Sequence, residues 1–426
     1  MSTGPIARRR FLAAGAGAGG ALALGGLAAF GLASGQHPDG ADRGIQALLD
    51  RRAAAVLRRD RAALAATVLP GDQGLRASQA DWLGNLAQVP LASWEYRLTA
   101  LDAFPLPPAL TAGSAERMAA QVQLSYRLAG FDSEPVTATQ YLTFTRTGPA
   151  ADGWYLSSDT DHPGGDVQLW DLGPVTAVHG RHCLVLGLPG SGPLQPFADE
   201  GDHAVPAVNA LWGDGWGQRT VLLVPGSTDQ FAALLDADPA DFTSIVAVTT
   251  GELGPTEARR TERITVNPPV WGTLSAFGRR VVTTHETTHV ATRAITDGWT
   301  PRWVAEGAAN WTGYRSADQT PKQICPELAA DVAGGWTPDQ LPTDSAFYYG
   351  TGTGLPQAYE QAWFAGRSIV RRHGEAALVA FYRDLAAAGG SGGQQAAVDT
   401  ALRRATGTGL TGFTAQWRAD LLAALR

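Results

Sequence analysis

The sequence is poor in lysine and has no surplus of basic residues. Lys322 is its only lysine, and 33 Lys and Arg residues stand against 40 Asp and Glu, which gives a formal net charge of −7. A protein that binds nucleic acid mainly through phosphate contacts needs a basic surface to neutralise those phosphates. The charge balance therefore argues against nucleic acid as the main partner.

Cysteine is almost as scarce, since only Cys183 and Cys325 occur. At most one disulfide bond can therefore form within the chain. In an exported protein such a pair can be joined; otherwise the two thiols are expected to be buried separately as small apolar groups. The sequence contains no information about the distance between them, so both alternatives stay open.

The chain is, by contrast, long and rich in apolar side chains. With 426 residues it exceeds an ordinary single domain, and we expect two or three domains. Its hydrophobic fraction of 44% and its 13 tryptophans are typical of packed cores and not of disorder. We find no internal repeat.

The N-terminus predicts export. Arg8-Arg9-Arg10 precede an uncharged stretch from Phe11 to Gly35, which is the order of a basic n-region and an apolar h-region. This start resembles a twin-arginine export signal. We interpret residues 1–35 as an export signal, cleaved near residues 33–35, which places the protein outside the cell or on its surface. An uncleaved membrane anchor formed by residues 11–35 is the alternative, because this stretch is long enough to span a bilayer.

Residues 44–160 are predicted to form a small α+β domain after a polar linker at 36–43. Apolar residues recur at helical spacing from Ile45, and four strand-like segments follow. Helices followed by an antiparallel meander, closed by Asp152-Gly153-Trp154-Tyr155, resemble the nuclear transport factor 2-like fold, a cystatin-like roll. Domains of this kind can be enzymes or binding modules. Because we find no His-Asp or paired-carboxylate constellation within this one, we interpret it as a docking or accessory domain.

A second linker is predicted at 161–174, where Gly, Pro and Asp are frequent, and a second domain at 175–426. Short apolar strands interspersed with helices precede a helix at about 273–295, and beyond Thr300 the chain is predicted to be mostly helical. The fold class is therefore α+β, with a mixed sheet in the second domain. The segment from Glu262 to Asn267 lies just before the helix at 273–295, and we expect it to be an edge strand that pairs with an extended peptide.

A metal-binding motif lies in that helix: His285-Glu286-Thr287-Thr288-His289. Residues four apart project from the same helix face, so both imidazoles can reach one ion. Zinc favours His nitrogen and carboxylate oxygen, and a catalytic zinc site keeps a fourth position for water. We predict His285 and His289 as zinc ligands and Glu286 as the general base that accepts a proton from that water. Two structural histidines in a buried helix are the alternative.

A second helix is predicted to begin at Thr300-Pro301, a good N-cap followed by a good first helical residue. It carries Trp303, Glu306 and Gly307. Together with the HExxH motif, these residues resemble the gluzincin metallopeptidases, whose pattern is HExxH followed by W-x-x-E-G, and among them the peptidase MA-like domains of secreted bacterial proteins. The resemblance implies a thermolysin-like domain in which Glu306 is the third zinc ligand.

Two departures from the gluzincin pattern bear on the site. The position four residues after Glu306, often acidic in gluzincins, holds Asn310. Its amide oxygen can still orient a ligand histidine, but it leaves that histidine less basic and the zinc more electrophilic; an Asn310 that faces solvent is the alternative. No Gly-x-Met-Glu-Asn segment precedes the motif. Gluzincin aminopeptidases bind a free N-terminus with that segment, so its absence favours an endopeptidase.

A donor to the developing oxyanion is expected downstream. The segment 358–363 resembles the Tyr-Glu-x-Gly stretch of gluzincin aminopeptidases, which implies Tyr359 as a catalytic residue that stabilises the oxyanion. A structural aromatic residue is the alternative. Further candidates for the same role are Tyr348, Tyr349 and His373.

The sequence thus predicts an exported endopeptidase that acts on peptide or protein substrates, with Zn²⁺ held by His285, His289 and Glu306 and with Glu286 and Tyr359 as catalytic residues. Two alternatives stay open. One is a catalytically silent surface protein in which zinc stabilises a binding module; the retention of Glu286 argues against it, because structural zinc has no need of a base. The other is an N-terminal domain that binds a small ligand, which a pocket lined by polar residues would support.

Overall fold

The computed structural model describes residues 40–106, 116–148, 153–250, 262–347, 354–389 and 392–426. The export signal or anchor predicted at 1–35 therefore lies outside the described residues. Within the described residues, no helix is both long enough and apolar enough to cross a membrane. The fold class is α+β, as predicted, with one antiparallel and one mixed sheet.

In the described residues of the first unit, three helices accompany a four-stranded antiparallel sheet. The strands pair in chain order, β1-β2-β3-β4. The apolar residues predicted on one face of the first helix, among them Ile45, Leu48 and Leu49, are fully buried in the core of this unit. The elements are α1 Ala41–Leu57, α2 Arg61–Ala65, α3 Gln73–Asn85, β1 Leu91–Leu101, β2 Arg117–Leu128, β3 Val136–Arg146 and β4 Trp154–Ser158.

Strand β1 lies at an edge of this sheet, and a side chain from α1 covers part of its backbone. Along β1, Trp94 and Tyr96 are buried whereas Glu95 is exposed, the alternation expected when one face of a sheet is packed against a core. Gln46 of α1 donates to the carbonyl of Tyr96 at 2.8 Å and accepts from the amide of Leu98 at 2.9 Å. These bonds satisfy backbone groups that an edge strand otherwise leaves open.

The segment predicted as a linker at 161–174 is partly packed into the core. Residues Leu169–Asp171 form a 3-10 helix in which Leu169 and Trp170 are buried. The ring of Trp170 lies 5.5 Å from that of Trp94 and 5.0 Å from that of Tyr126. The segment therefore joins the two units without separating them.

A mixed sheet begins the second unit; its described part has five strands, in the order β5-β6-β7-β9-β8. Strands β6, β7 and β9 run parallel, and β5 and β8 pair antiparallel at the two edges. All residues of β6 and β9 are buried, as expected for strands covered on both faces. The elements are β5 Thr176–His179, β6 Cys183–Gly187, α4 Gln195–Trp212, β7 Thr220–Val224, α5 Thr228–Ala233, β8 Ala247–Thr250, β9 Arg263–Val266 and α6 Pro268–Trp271.

The sheet order corrects one expectation from the sequence. The segment from Glu262 to Asn267, predicted as an edge strand, contains β9, which lies between β7 and β8. The prediction is wrong because the order of strands along the chain does not determine their order in the sheet. Strand β8 comes first in the chain and lies at the edge, and β9, which follows it, lies between β7 and β8. Among the described residues, β8 is the edge on this side of the sheet.

The two units share an apolar cluster and a buried ion pair. Leu184, Leu186 and Val221 of the second sheet belong to the same apolar cluster as the first sheet and its helices. Arg263 of β9 donates through Nη1 and Nη2 to the two carboxylate oxygens of Asp132, at 2.9 and 2.7 Å, and both side chains are buried. Asp132 lies between β2 and β3, so this ion pair connects the first unit to the second sheet.

Beyond the second sheet the described chain is helical, as predicted. Helix α7, Ala276–Thr292, carries the HExxH motif, and helix α8, Arg302–Tyr314, carries Glu306. The remaining helices contribute to a large apolar cluster that also includes α8. They are α9 Pro321–Ile324, α10 Pro326–Ala333, α11 Leu355–His373, α12 Glu375–Ala387, α13 Gln394–Thr406 and α14 Leu410–Leu425.

The two cysteines are separate buried thiols. Cys183 lies in the core of the second sheet and Cys325 in the helical core, and both are free. Burial raises the pKa of the Cys183 thiol to about 12, and Asp202 contributes in the same direction. Of the two alternatives that the sequence leaves open, the structure therefore contains the unlinked pair.

Replacing Asp132 by alanine is expected to destabilise the fold by about 3–5 kcal/mol, because the guanidinium of Arg263 is then buried without a counter-charge. Urea unfolding measures this loss. Glu200→Ala is the matched control: Glu200 pairs at 3.3 Å with Arg280, whose side chain is half exposed, and surface pairs contribute about 0–1 kcal/mol. Equal losses in the free energy of unfolding would show that the buried pair contributes no more to stability than the surface pair does.

Candidate metal centre

Helix α7 is built from a threonine-rich sequence and is held by its surroundings. Ser275 caps its N-terminus by accepting from the amide of Gly278. Several of its threonines donate to a carbonyl one turn back, for example Thr288 to Thr284 at 2.8 Å, so these hydroxyls have partners inside the helix. The residues from Thr283 to Thr288 are all buried. Tertiary packing therefore fixes the helix and the directions of its side chains.

Three side chains converge between α7 and α8. The Nε2 atoms of His285 and His289 are 3.0 Å apart, and they lie 3.3 and 3.4 Å from Oε2 of Glu306. A tetrahedral ion with bonds of about 2.0–2.1 Å holds its ligand atoms about 3.3 Å apart. The structure thus brings together the three predicted ligands at separations that allow them to hold one metal ion.

The hydrogen bonds around this cluster favour a cation at its centre. Nδ1 of His285 lies 2.9 Å from the amide oxygen of Asn310, which can only accept, so Nδ1 carries a proton and Nε2 of the neutral ring presents a lone pair. That lone pair faces the nitrogen of His289 and a carboxylate oxygen of Glu306. Burial disfavours the charged form of His285, but Glu306 and Glu286 outweigh burial and raise its pKa. The carboxylates that attract a proton here would attract a metal cation in the same way.

Asn310 is held in the orientation that this contact requires. Its Nδ2 donates to the backbone carbonyl of Tyr359 at 3.2 Å, and its side chain is buried. Because α11 fixes the amide nitrogen, the amide oxygen is directed at His285. The contact predicted between Asn310 and a ligand histidine is present, and the alternative of an Asn310 facing solvent is wrong.

Two glycines allow α8 to lie close to its neighbours. A Cβ atom at Gly307 would stand 2.5 Å from the carbonyl oxygen of Ala362 in α11, and one at Gly313 would stand 2.9 Å from the carbonyl oxygen of Val281 in α7. Neither distance is compatible with a side chain. Gly307 therefore lets α8 approach α11, and Gly313 lets α8 approach α7.

Glu286 is fully buried beside the cluster and is held by the edge strand. Thr249 of β8 donates to Oε2 of Glu286 at 2.5 Å, while Oε1 has no hydrogen-bond partner among the described residues. Burial raises the pKa of Glu286, and the opposing effect of His285 and His289 does not cancel this rise. One oxygen of Glu286 is therefore fixed, and the other is available to accept a proton.

The two carboxylates of the site differ in how readily they ionise. Burial disfavours the ionised form of Glu306 as well, but His289 and His285 outweigh burial and lower its pKa. The pKa of Glu306 thus moves in the direction that a metal ligand requires, whereas the pKa of Glu286 is raised. Where the environment raises the pKa of one carboxylate and lowers that of its neighbour, the first is suited to exchange protons and the second to stay ionised.

Tyr359 lies inside the helical core. Its side chain is fully buried, with its ring 5.3 Å from that of Phe347, and its role as an oxyanion donor stays a prediction. Tyr348 and Tyr349 lie outside the described residues. His373 is exposed at the end of α11, about 21 Å along the helix axis from Tyr359, so the two cannot act at the same point.

Thr249 is a residue of the site that the sequence does not predict. It lies 37 positions before Glu286 in the chain, on a strand whose place in the sheet the sequence does not reveal. No local spacing indicates the contact. It appears only when β8 is paired with β9 at the edge of the sheet.

Comparison with known proteins gives no assignment, since neither a family model nor a curated protein matches the chain. The resemblance to gluzincins therefore rests on the motif residues alone.

The first prediction from this geometry concerns metal content. We expect about one tightly held divalent metal ion per chain after dialysis, as three converging ligands imply, measured by mass spectrometry of the elements. The His285→Ala/His289→Ala double variant should lose the ion, because a single carboxylate remains. His373→Ala, which changes an exposed histidine, is the control and should keep it. Full occupancy in the double variant would contradict the site.

A second prediction concerns Asn310. Asn310→Ala is expected to lower metal affinity about 10–100-fold, as the loss of an outer partner of a ligating histidine does. Asn310→Asp keeps an acceptor for His285 and should keep the affinity, but it should destabilise the fold because it removes the donor to the carbonyl of Tyr359. Chelator competition and urea unfolding measure the two effects. Unchanged metal affinity in Asn310→Ala would exclude the orienting role.

Proposed function

We propose that the chain is an exported zinc-dependent peptidase of the gluzincin type that cleaves bonds within peptide chains. One observation carries the proposal: two imidazole nitrogens and a carboxylate oxygen converge at 3.0–3.4 Å from one another beside a second, buried carboxylate. Two histidines and one glutamate form a ligand set of catalytic zinc, which leaves the fourth position open. Export rests on the sequence of residues 1–35.

Glu286 is the proposed general base. When bound, zinc supplies a Lewis acid that polarises a substrate carbonyl and makes water more acidic. Oε1 of Glu286 accepts the proton and delivers it to the leaving amine, while Thr249 keeps Oε2 in place. Because burial raises the pKa of Glu286, this carboxylate is a stronger base than one in water.

Strand β8 is the proposed binding surface for the substrate. Among the described residues it forms one edge of the second sheet, and it carries Thr249 in contact with Glu286. An extended peptide that pairs with β8 through backbone hydrogen bonds would pass close to the proton acceptor. His289 is the most open ligand, with 14% of its side chain exposed against 1% for His285 and 5% for Glu306, so we expect the substrate to approach from its side.

The finer architecture is proposed by analogy. A mixed sheet, a motif helix and a helical remainder follow one another in the second unit, which is the layout of a thermolysin-like domain. The helices and antiparallel meander of the first unit suit a nuclear transport factor 2-like domain with an accessory role. Endopeptidase action is proposed because the aminopeptidase segment Gly-x-Met-Glu-Asn does not precede the motif.

The competing proposal is a catalytically silent surface protein that zinc stabilises. Such a protein has no use for a carboxylate that is buried without binding the metal, and burying one without full compensation costs free energy. Glu286 is fully buried, and Oε1 has no partner among the described residues. This arrangement favours catalysis over a structural role.

Two isosteric variants separate the base from the ligand. Glu286→Gln is expected to keep fold and metal but to lower kcat by about 10²–10⁴-fold, because general-base catalysis is lost. Glu306→Gln is expected to lower metal affinity and to lose activity as a consequence, with partial recovery in excess zinc. Metal content and cleavage of an unfolded protein substrate are measured for each. A fully metal-loaded wild type that cleaves nothing across a broad substrate panel would support the silent binding protein instead, and a fully active Glu286→Gln would exclude the mechanism.

Thr249 is expected to act by positioning Glu286. Thr249→Val removes the hydroxyl with little change in shape and should lower kcat about 10–100-fold, as the loss of a hydrogen bond to a charged group implies, while KM and metal content stay near those of the wild type. Thr249→Ser retains the donor and should restore most of the rate. If Thr249→Ser is as slow as Thr249→Val, the hydroxyl at this position does not position Glu286.

A further inference from the structure

A cavity of about 350 Å³ lies in the first unit, and none of its lining residues belongs to the metal centre. Its walls come from α1, α3, β1 and β3 and from the segment that follows β4. The volume is at the lower end of the range for small-molecule sites, so it suits a ligand of the size of an amino acid or a dipeptide. The charged and aromatic side chains of the lining include Arg52, Trp82, Tyr96, Tyr141, Asp159 and Asp171.

Arg52 is a buried cation whose hydrogen-bond partners are neutral. Only 4% of it is exposed; its Nη1 donates to the hydroxyl of Thr67 at 3.1 Å, and its Nη2 donates to the amide oxygen of Gln79. In the part of the chain that the structure describes, its Nε has no hydrogen-bond partner. Burial lowers the pKa of Arg52, and Tyr96 and Asp159 offset this only in part. A buried guanidinium without a contacting carboxylate is unfavourable until an anion reaches it.

Carboxylates also line the cavity, and their hydrogen bonds come from neutral donors. Asp159 accepts from the amide nitrogen of Gln79 at 2.8 Å, and Asp171 accepts from the indole N–H of Trp82 at 2.8 Å. These carboxylates would repel a simple anion, and Arg52 would repel a simple cation. A ligand with separated charges of both signs complements the lining best.

We propose that this cavity binds a small zwitterion, an α-amino acid or a short peptide, whose carboxylate contacts Arg52 and whose ammonium group contacts Asp159 or Asp171. The rings of Trp82 and Tyr141 provide an apolar surface for the side chain of the ligand. The inference is independent of the proposed peptidase activity, because the two sites have no residue in common.

Calorimetric titration of the full chain with three matched probes tests the proposal. L-Phenylalanine carries both charged groups, 3-phenylpropionate lacks the ammonium group, and 2-phenylethylamine lacks the carboxylate. We expect L-phenylalanine to bind at least about tenfold more tightly than either analogue, because it alone satisfies both charges. Equal affinity for either analogue, or no binding of any probe at millimolar concentration, overturns the proposal.

The His285→Ala/His289→Ala variant is titrated in parallel, because an amino acid can also bind at a metal. Binding of L-phenylalanine that persists in this variant supports the cavity as the site. Binding that disappears there belongs to the metal centre and overturns the proposal, whatever the outcome for the peptidase.

Substitutions in the lining give a second test. Arg52→Gln is expected to weaken L-phenylalanine binding at least about tenfold. Since a buried arginine can also be needed for folding, the Asp159→Asn/Asp171→Asn variant is tested as well. Its amide oxygens can still accept the hydrogen bonds from Gln79 and Trp82, and only the bond from the backbone amide of Gln168 to the second oxygen of Asp171 is lost. It should lose affinity for L-phenylalanine to a similar extent but not for 3-phenylpropionate. Glu95→Gln, on the exposed face of β1, is the control. Wild-type affinity for L-phenylalanine in the folded double variant overturns the proposal.

Discussion

The close contact between α7 and α8 is the constraint on which the rest of the structure depends. It places two imidazoles and two carboxylates in one buried volume, where each ionised group is unfavourable unless an opposite charge is near. Gly313 permits this contact, since a side chain there would meet the backbone carbonyl of Val281. The surrounding elements keep the four groups in place: Asn310 holds His285, β8 holds Glu286, and α11 supports both α8 and Asn310.

The second sheet connects the candidate metal centre to the first unit. Strand β8 contacts Glu286 through Thr249 and pairs with β9, and Arg263 of β9 is bound to Asp132 of the first unit. The first unit also shares its apolar core with β6 and β7. It therefore supports the strands that hold the proposed base. None of the residues of the first unit takes part in the proposed reaction, but the first unit helps to keep Glu286 in position.

The sequence predicts the metal motif because the information for it is local. His285 and His289 are four residues apart on one helix, so their common face follows from helical periodicity alone. Glu306 lies 17 positions further along and could be predicted only from likeness to a known pattern. The contact of Thr249 and the place of β9 inside the sheet could not be predicted, because strand order is set by tertiary packing. The burial of Trp170 escaped prediction for the same reason, since its partners lie on distant strands.

The neutral residue at position 310 matches the charge of the buried site. In the proposed complex a divalent cation faces two ionised carboxylates, Glu286 and Glu306, and two neutral imidazoles, so the formal charges sum to zero. An aspartate in place of Asn310 would add a negative charge that nothing compensates, in a volume where ionisation is disfavoured. An aspartate also has no donor for the carbonyl of Tyr359, to which Asn310 donates at 3.2 Å. An amide therefore satisfies both neighbours, the imidazole N–H of His285 and the carbonyl of α11, without changing the charge of the site.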